Sequence, residues 1–523
     1  MAEPAARSSA LAGVAAAAVA LGVTQLAAVP FGPAADSRIA VGSAVIDLTP
    51  GPVKEWAIQL FGTADKLALS IIVLGVIALI AALTAQRETK RMPLGSIAIV
   101  LAGVAGCAAV LSRAGATWVD IAPTLLGTVC GVAVLRLLVS GRFTDGGNDD
   151  SVNNNAATGN DEAQDAPDPG RRLSLVALGF LAAGAVTGVT GTVLNRLRSS
   201  VAGDRNAFAV PSAAVSAPPV SPAVQPEGVT LPSFVTANTD FYRIDTALSV
   251  PQVRREDWRL KIHGMVDREL ELDFSGLDQF EVVEKVVTLT CVSNPVGGDL
   301  ISNAKWTGYR VRDLLAQAGV HADADMVLST SIDGFTAGTP TEALTDDRDS
   351  LLAIAMNDVP LPTEHGYPAR LVVPGLYGYV SATKWVVDLE LTRFDRAEAY
   401  WTKLGWSARG PIKTESRIDV PRSGQDVARG PVTFGGVAWA QNRGVRKVEV
   451  SVDDGEWQQA ELGADYSNET WRLWSFAWEA RDPGLHELRV RATDGTGAVQ
   501  TSEQADVVPD GATGWHTVSF AVK

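Results

Sequence analysis

The stretch VVTLTCVSNPVGGDLISNAKWTG, residues 286–308, puts Cys291 at the end of a β-branched run and directly before a polar turn closed by two glycines. The run predicts a strand, and the Pro-x-Gly-Gly cluster predicts a sharp exit from it. Cys291 is the only cysteine after Cys130. A lone cysteine behind a strand reads most simply as a small buried hydrophobe. The chain's 3 cysteines build neither a zinc framework nor a disulfide lattice, because Cys107 and Cys130 lie in apolar segments. If Cys291 is not simply core, it is a free thiol or a ligand.

Working outward, the 523 residues exceed what one core can organise, and a net charge of −15 excludes a nucleic-acid partner, which needs a basic surface. Apolar residues concentrate in the first half. Segments 9–29, 67–83, 94–111, 119–139 and 173–194 are each long enough to cross about 30 Å of hydrocarbon at about 1.5 Å per residue. Residues 1–198 therefore read as an α-helical transmembrane bundle of about five helices. For the first segment a cleaved signal peptide is the alternative, though it lacks a basic leader and further spans come after it. Arg87, Lys90 and Arg91 mark the second connection as cytoplasmic, whereas the third carries only Arg113. The N-terminus then lies inside and the fifth helix exits outside, with Arg196 and Arg198 sitting against this. Arg171 and Arg172, ahead of a Gly- and Ala-rich helix, resemble a twin-arginine export signal placed internally; an ordinary positive-inside flank is the other reading. Both readings put the chain beyond the fifth helix on the extracytoplasmic side of the cell membrane.

The acidic loop 144–169 has almost no large apolar residues and is expected to be disordered. Residues 199–228, rich in Pro, Ala and Ser, read as an extended tether. From 229 to 412 strands such as WRLKIHGMV and VEKVVTLT mix with a short helix, YRVRDLLAQAGV, under dense Gly, Pro and Asp punctuation, which predicts an α+β domain. From 413 to 523 the pattern is strands alone, with Asp-Gly turns at 454–455 and 494–495, as in an immunoglobulin-like β-sandwich.

Segments 240–266 (DFYRIDTALSVPQVRREDWRLKIHGMV), 289–315 (LTCVSNPVGGDLISNAKWTGYRVRDLL) and 351–385 (LLAIAMNDVPLPTEHGYPARLVVPGLYGYVSATKW), together with the tryptophan-rich strands after them, resemble the sulfite oxidase family of molybdopterin-dependent oxidoreductases, in order, from about residue 232 to the end. The resemblance implies a molybdenum–molybdopterin cofactor (Moco) whose dithiolene sulfurs leave one position for a soft protein ligand. It makes Cys291 that ligand. His365 and Arg370, in HGYPAR, would hold the pterin or its phosphate, with Lys384 as a second cation near Ser381. Tyr242 and Arg243, in FYRID, would line the cofactor, and Ser331 would offer a polar contact. Taken singly, each is as readily a surface charge, a loop histidine or, like Asp333 before Gly334, a turn residue; their joint occurrence with Cys291 singles them out.

Two departures bear on substrate. In sulfite oxidases proper arginines come soon after the ligand cysteine, while here VSNPVGGDL offers no base before Lys305. The family's active-site tyrosine has no counterpart in register, although Tyr400 and Trp401 lie nearby. An uncharged sulfoxide or N-oxide suits such a pocket at least as well as sulfite. All 5 histidines lie beyond the apolar half, so the helices offer no imidazole to a haem, and no iron–sulfur cysteine cluster exists. Electrons then pass to or from a separate carrier, a cytochrome or a quinone-linked protein. The terminal strands are similar to the family's dimerisation domain, and their tryptophans either fill its core or face a homodimer partner. The expectation is a membrane-anchored, extracytoplasmic oxidoreductase moving an oxygen atom to or from a small substrate. Its rival is a non-catalytic surface binding module on a degenerate enzyme fold.

Overall fold

The computed structural model describes residues 2–32, 35–50, 53, 65–89, 91–113, 116–140 and 169–523. It divides into two compact units, residues 1–200 with 247–249 and residues 201–246 with 250–523. The acidic segment 144–168 and Lys90 lie outside the described residues.

The first unit is helical. Helices Ala2–Ala28, Asp65–Ala85, Leu94–Leu111, Ala122–Val139 and Pro169–Ser199 cover the five apolar runs, and among the described residues 5 helical segments are long and apolar enough to cross a membrane. Apolar side chains such as Ile71, Leu101, Val129 and Leu175 point outward, the reverse of a water-soluble bundle. Inside, small residues permit close approach: a Cβ on Gly22 would stand 2.2 Å from the carbonyl oxygen of Gly184, so glycine is required where these two helices meet. A short helix, Ser37–Leu48, is not announced by the sequence pattern. Asp36 caps it, accepting from the amides of Arg38 and Ile39 and from Gln25 Nε2 at 2.7 Å.

In the second unit the alternating runs become strands. One sheet runs in the order Leu270–Asp273, Arg259–Gly264, Val386–Thr392, Met326–Ser331, Thr336–Pro340, with Arg259–Gly264 parallel to Val386–Thr392 and the other pairs antiparallel. A second, antiparallel throughout, pairs Val282–Thr290 with Ile301–Arg310 and that strand with Leu351–Met356, on which Arg370–Val372 and Val359–Pro360 also pair. Every residue of Leu351–Met356 is buried, which is why its sequence is a continuous apolar run rather than an alternation. Helix Val311–Ala318 buries Val311, Leu314, Leu315 and Ala318 as one stripe and ends at Gly319, whose φ of +73° suits a residue without Cβ.

The final 110 or so residues form two further sheets. Glu415–Val420, Gly430–Trp439, Arg472–Ala480 and Glu461–Leu462 make one; Asp426–Val427, His516–Val522, Gly484–Asp494, Val445–Val452 and Gln458–Gln459 make the other. Their inward residues, among them Phe434, Val450, Trp474, Leu488 and Phe520, share one core. Each such side chain contributes roughly 1.5–3 kcal/mol by leaving water. Trp439, Trp471 and Trp474 are all buried and fill cores, whereas Trp457, Trp478 and Trp515 are only partly buried.

Of residues 199–228, expected as an extended tether, all from 201 on belong to the second unit. Their backbone bonds to the sheet strand Val282–Thr290 through the amide of Ala214 and the carbonyl of Val282, 2.9 Å apart, and their first turn is the helix Ala202–Ala207. Composition set the expectation, but side chains from Asp204 and Arg205 supply the contacts that hold this segment down.

Candidate active site

Strand Val282–Thr290 delivers Cys291 into a tight loop. The Cys291 amide donates to Leu300 O at 2.9 Å, its carbonyl accepts from Asn294 N, and Asn294 Oδ1 in turn accepts from Leu300 N. Gly297 adopts a φ of +77° under the His516 imidazole, where a Cβ would come within 2.2 Å of the ring. Arg417 Nη1 donates to Gly298 O at 2.9 Å. The terminal sheets thus clamp the cysteine loop from outside. The thiol is half-buried, and burial pushes its pKa up while hydrogen bonds with Ser293 pull the other way.

The cationic side of the site is built by the turn Thr363–His365, the strand Arg370–Val372 and Lys384. Gly366, at φ +112°, lets the chain turn so closely that its missing Cβ would lie 3.0 Å from that of Arg370 and 3.2 Å from that of Lys384. Arg370 is buried, stacked over the Trp306 ring at 5.0 Å, and donates only to the carbonyls of His365, Leu371 and Ala382 at 3.2–3.4 Å. Among the described residues no carboxylate lies within ion-pair distance of it, and burial lowers its pKa to about 10. A buried guanidinium without a counterion is costly, which marks a place for an external anion.

Lys384 does have an internal partner: Nζ lies 2.9 Å from Asp245 Oδ2. Burial outweighs that carboxylate and brings the lysine to about 8. His365 is buried edge-on against Phe241, with Nε2 3.3 Å from Asn238 O. Burial first, then the charges of Arg370 and Lys384, push its pKa to about 3, so it is neutral at ordinary pH. Tyr242 stacks on Phe241, and its amide donates to Ser302 Oγ. Burial raises its hydroxyl far above the usual range, with Cys291 raising it further and Arg370 opposing, so this ring feels both halves of the site. Next to Lys384, Trp385 holds a φ of +50°, strained for a bulky residue, fixed by its Nε1–H donating to Thr363 O and its carbonyl accepting from Ile332 N.

The structure therefore gathers Cys291, Tyr242, His365, Arg370 and Lys384. Ser331 pairs with Val386, two residues from Lys384, and its buried hydroxyl has no hydrogen-bond partner among the described residues. Ser381 is different: its hydroxyl already donates to Tyr377 O at 2.9 Å and serves its own turn. Arg243 is more than a third exposed and bonds to Asp245 at 2.7 Å, acting on the site through that carboxylate. Asp333 is a turn residue whose carboxylate accepts from Phe335 N. Lys305, the first base after Cys291, is engaged by Glu284 and Asp358 and supplies no charge to the loop. Tyr400 and Trp401 join an aromatic cluster with Phe335, Trp406 and Tyr379.

Sequence reasoning did not single out Asp245, although it ends the FYRID motif. It also missed Trp306 beneath Arg370, and Tyr377, whose hydroxyl accepts from Lys413 N and feels the charge of Cys291. A half-buried thiol, an uncompensated buried guanidinium and an orphaned buried hydroxyl together suit a group that is soft at one end and anionic at the other.

Residues 247–401 match the oxidoreductase molybdopterin binding domain. That stretch contains Cys291, Ser331, His365, Arg370, Ser381 and Lys384, while Tyr242 and Arg243 precede it. Human mitochondrial sulfite oxidase is 30% identical over 290 residues, 46% of this chain and 52% of that one. The oxidoreductase YuiH of Bacillus subtilis is 33% identical over 153 residues, 29% of this chain and 74% of its own. Among solved structures, the sulfane dehydrogenase SoxCD of Paracoccus pantotrophus aligns at 24% identity with a TM-score of 0.48, over 57% of this chain and 83% of that one. The chain spans about half the length of the mammalian sulfite oxidases it matches. The fold and site define a molybdopterin-binding oxidoreductase domain, and the chain belongs to the sulfite oxidase family of molybdenum-cofactor oxidoreductases.

Proposed function

We propose that this protein is a membrane-anchored oxidoreductase that moves an oxygen atom to or from a small substrate and exchanges electrons with a separate carrier. The observation that carries the reading is Arg370, a buried cation left without a counterion in the same site as Cys291. The molybdenum cofactor, when bound, supplies the two-electron oxygen-atom chemistry. Cys291 is its protein ligand. Arg370 and Lys384 hold its anionic end, Ser331 donates a hydrogen bond, and neutral His365 packs beside the cations without adding to their repulsion. Tyr242 lines the wall between the metal and cationic halves.

The substrate side favours a neutral oxide over a dianion. No base comes after Cys291 within its loop, and Lys305 is spoken for by two carboxylates, so a sulfoxide or N-oxide finds little charge to miss. Five apolar helices whose large side chains face outward support anchorage in a bilayer, and the positive-inside pattern favours the extracytoplasmic side for the second unit. The terminal sheets, an immunoglobulin-like pair, act in this reading as a clamp on the cysteine loop.

The test is the molybdenum and pterin content of the full chain, produced in a host that makes the cofactor, beside Cys291→Ser. About one molybdenum per chain, lost in the variant, supports the assignment. Absence of metal and pterin from both would make the chain a binding module on an enzyme's fold. Replacing Arg171 and Arg172 by Lys tests the twin-arginine route: a second unit that stays accessible to external protease in that variant argues for a plain positive-inside flank.

A further inference from the structure

The first residues of the second unit are fastened to the loop that carries the cationic half of the site. Asp204 Oδ2 accepts from the Tyr367 hydroxyl at 2.7 Å and from the Arg255 amide at 3.0 Å, while Oδ1 accepts from the Arg255 guanidinium at 2.9 and 3.1 Å. The next residue, Arg205, donates to Leu361 O at 2.7 Å and Pro360 O at 2.8 Å. Phe208 closes the contact, edge-on to Phe274 at 5.3 Å with the Arg255 guanidinium 4.5 Å above its ring. Tyr367 is fully buried and stands between His365 and Arg370. Short charge-assisted bonds of this kind are the strong class, and several converge on one eight-residue stretch.

We propose that Asp204 and Arg205 are positioning residues, a latch through which the segment immediately after the last apolar helix holds residues 360–367 and thereby sets His365 and Arg370 for the cofactor. The latch rests on the cofactor reading above for its purpose, though not for its geometry. It gives residues 201–208 a role that their composition hides. Where a tether would let the cofactor loop fluctuate independently, the latch makes order in that loop depend on side-chain bonds from a segment some 160 residues earlier in the chain.

The experiment uses the full chain, in cofactor-loaded and cofactor-free preparations, with Asp204→Asn, Arg205→Ala, Tyr367→Phe and the Asp204→Asn/Tyr367→Phe pair. Hydrogen exchange of residues 360–370 and the rate of pterin release are both measured. The latch predicts roughly tenfold faster exchange in that stretch for Asp204→Asn and for Arg205→Ala, with the strands at 445–494 unchanged. It also predicts faster pterin release, and no further loss when Tyr367→Phe is added to Asp204→Asn. Tyr367→Phe removes a single oxygen and keeps the test alive if the charge variants fail to fold. Wild-type exchange and release in the variants, or a loss of protection spread evenly over the whole unit, overturns the latch. If the wild-type chain carries neither molybdenum nor pterin, the cofactor reading falls instead, and exchange in the metal-free protein still decides whether the latch exists.

Discussion

The cysteine loop 291–300 and the cationic turn 363–370 are built by the same device and hold opposite chemistry. Each is a turn closed by a glycine at positive φ, Gly297 in one and Gly366 in the other. The cysteine loop offers a thiol with no positive charge in its own sequence, and its internal hydrogen bonds are backed from outside by His516 and Arg417. The cationic turn has charge in excess: among the described residues Arg370 has no carboxylate within ion-pair distance, and Lys384 beside it pairs with Asp245. The difference teaches that, in the function proposed above, one end would meet a soft metal and the other an anion, so one ligand would be held by two unlike interactions.

The largest effect should come from removing the soft end. Cys291→Ser offers a harder, far less acidic ligand, and molybdenum content should fall below about a tenth of the wild-type value; retention of full content would break the comparison. At the other end, Arg370→Met should weaken pterin retention about ten- to a hundredfold, since a charge-assisted bond is lost. The same variant should leave the metal-free chain as stable as wild type or more stable by roughly 1 kcal/mol, because an unpaired buried charge is gone. Thermal melts with and without cofactor check both halves, and a destabilised metal-free variant would mean that Arg370 is structural.

Gly297→Ala should cost roughly 2–4 kcal/mol, from its backbone conformation and from collision with the His516 ring. Combining it with His516→Ala should recover the steric part, which denaturant midpoints would show. His516 also gives a pH signature. Burial first and Arg417 second hold its pKa down at about 4, below the about 6.5 of an unfolded chain. The unfolded state therefore binds more protons between these values, and stability falls as pH drops through that window. His516→Gln should flatten the slope, with the remainder coming from His365, which is lowered in the same sense. The smallest effect is expected at Lys305→Ala, since two carboxylates already occupy it: cofactor content should not change, and a loss would reinstate it as a site residue.

Much of this was written locally. Apolar runs of membrane length, period-two alternation in the terminal strands and the HGYPAR and SATKW motifs are all read within a few residues; the apolar runs became helices and the alternating runs strands. Segment 201–228 shows where locality fails: its Pro- and Ala-rich composition says flexible, and distant partners such as Tyr367, Arg255, Val282 and the carbonyls of residues 360 and 361 say otherwise. Asp245 was similarly silent, because an acid becomes a counterion only when Lys384, 139 positions away, arrives beside it. His516 in the last strand could not be connected to Gly297 by any spacing rule.

The sequence by itself determined where the helices and strands lie and which residues are candidate cofactor donors, because hydrophobic periodicity and donor chemistry are properties of short stretches. Tertiary structure decided which of those donors are free to act. It tied Ser381 to its own turn, paired Lys305 and Lys384 with carboxylates, and left Arg370 and Ser331 buried without such partners. Whether a polar group is satisfied depends on what the fold brings within hydrogen-bonding distance, and those partners lie up to a hundred residues and more away along the chain.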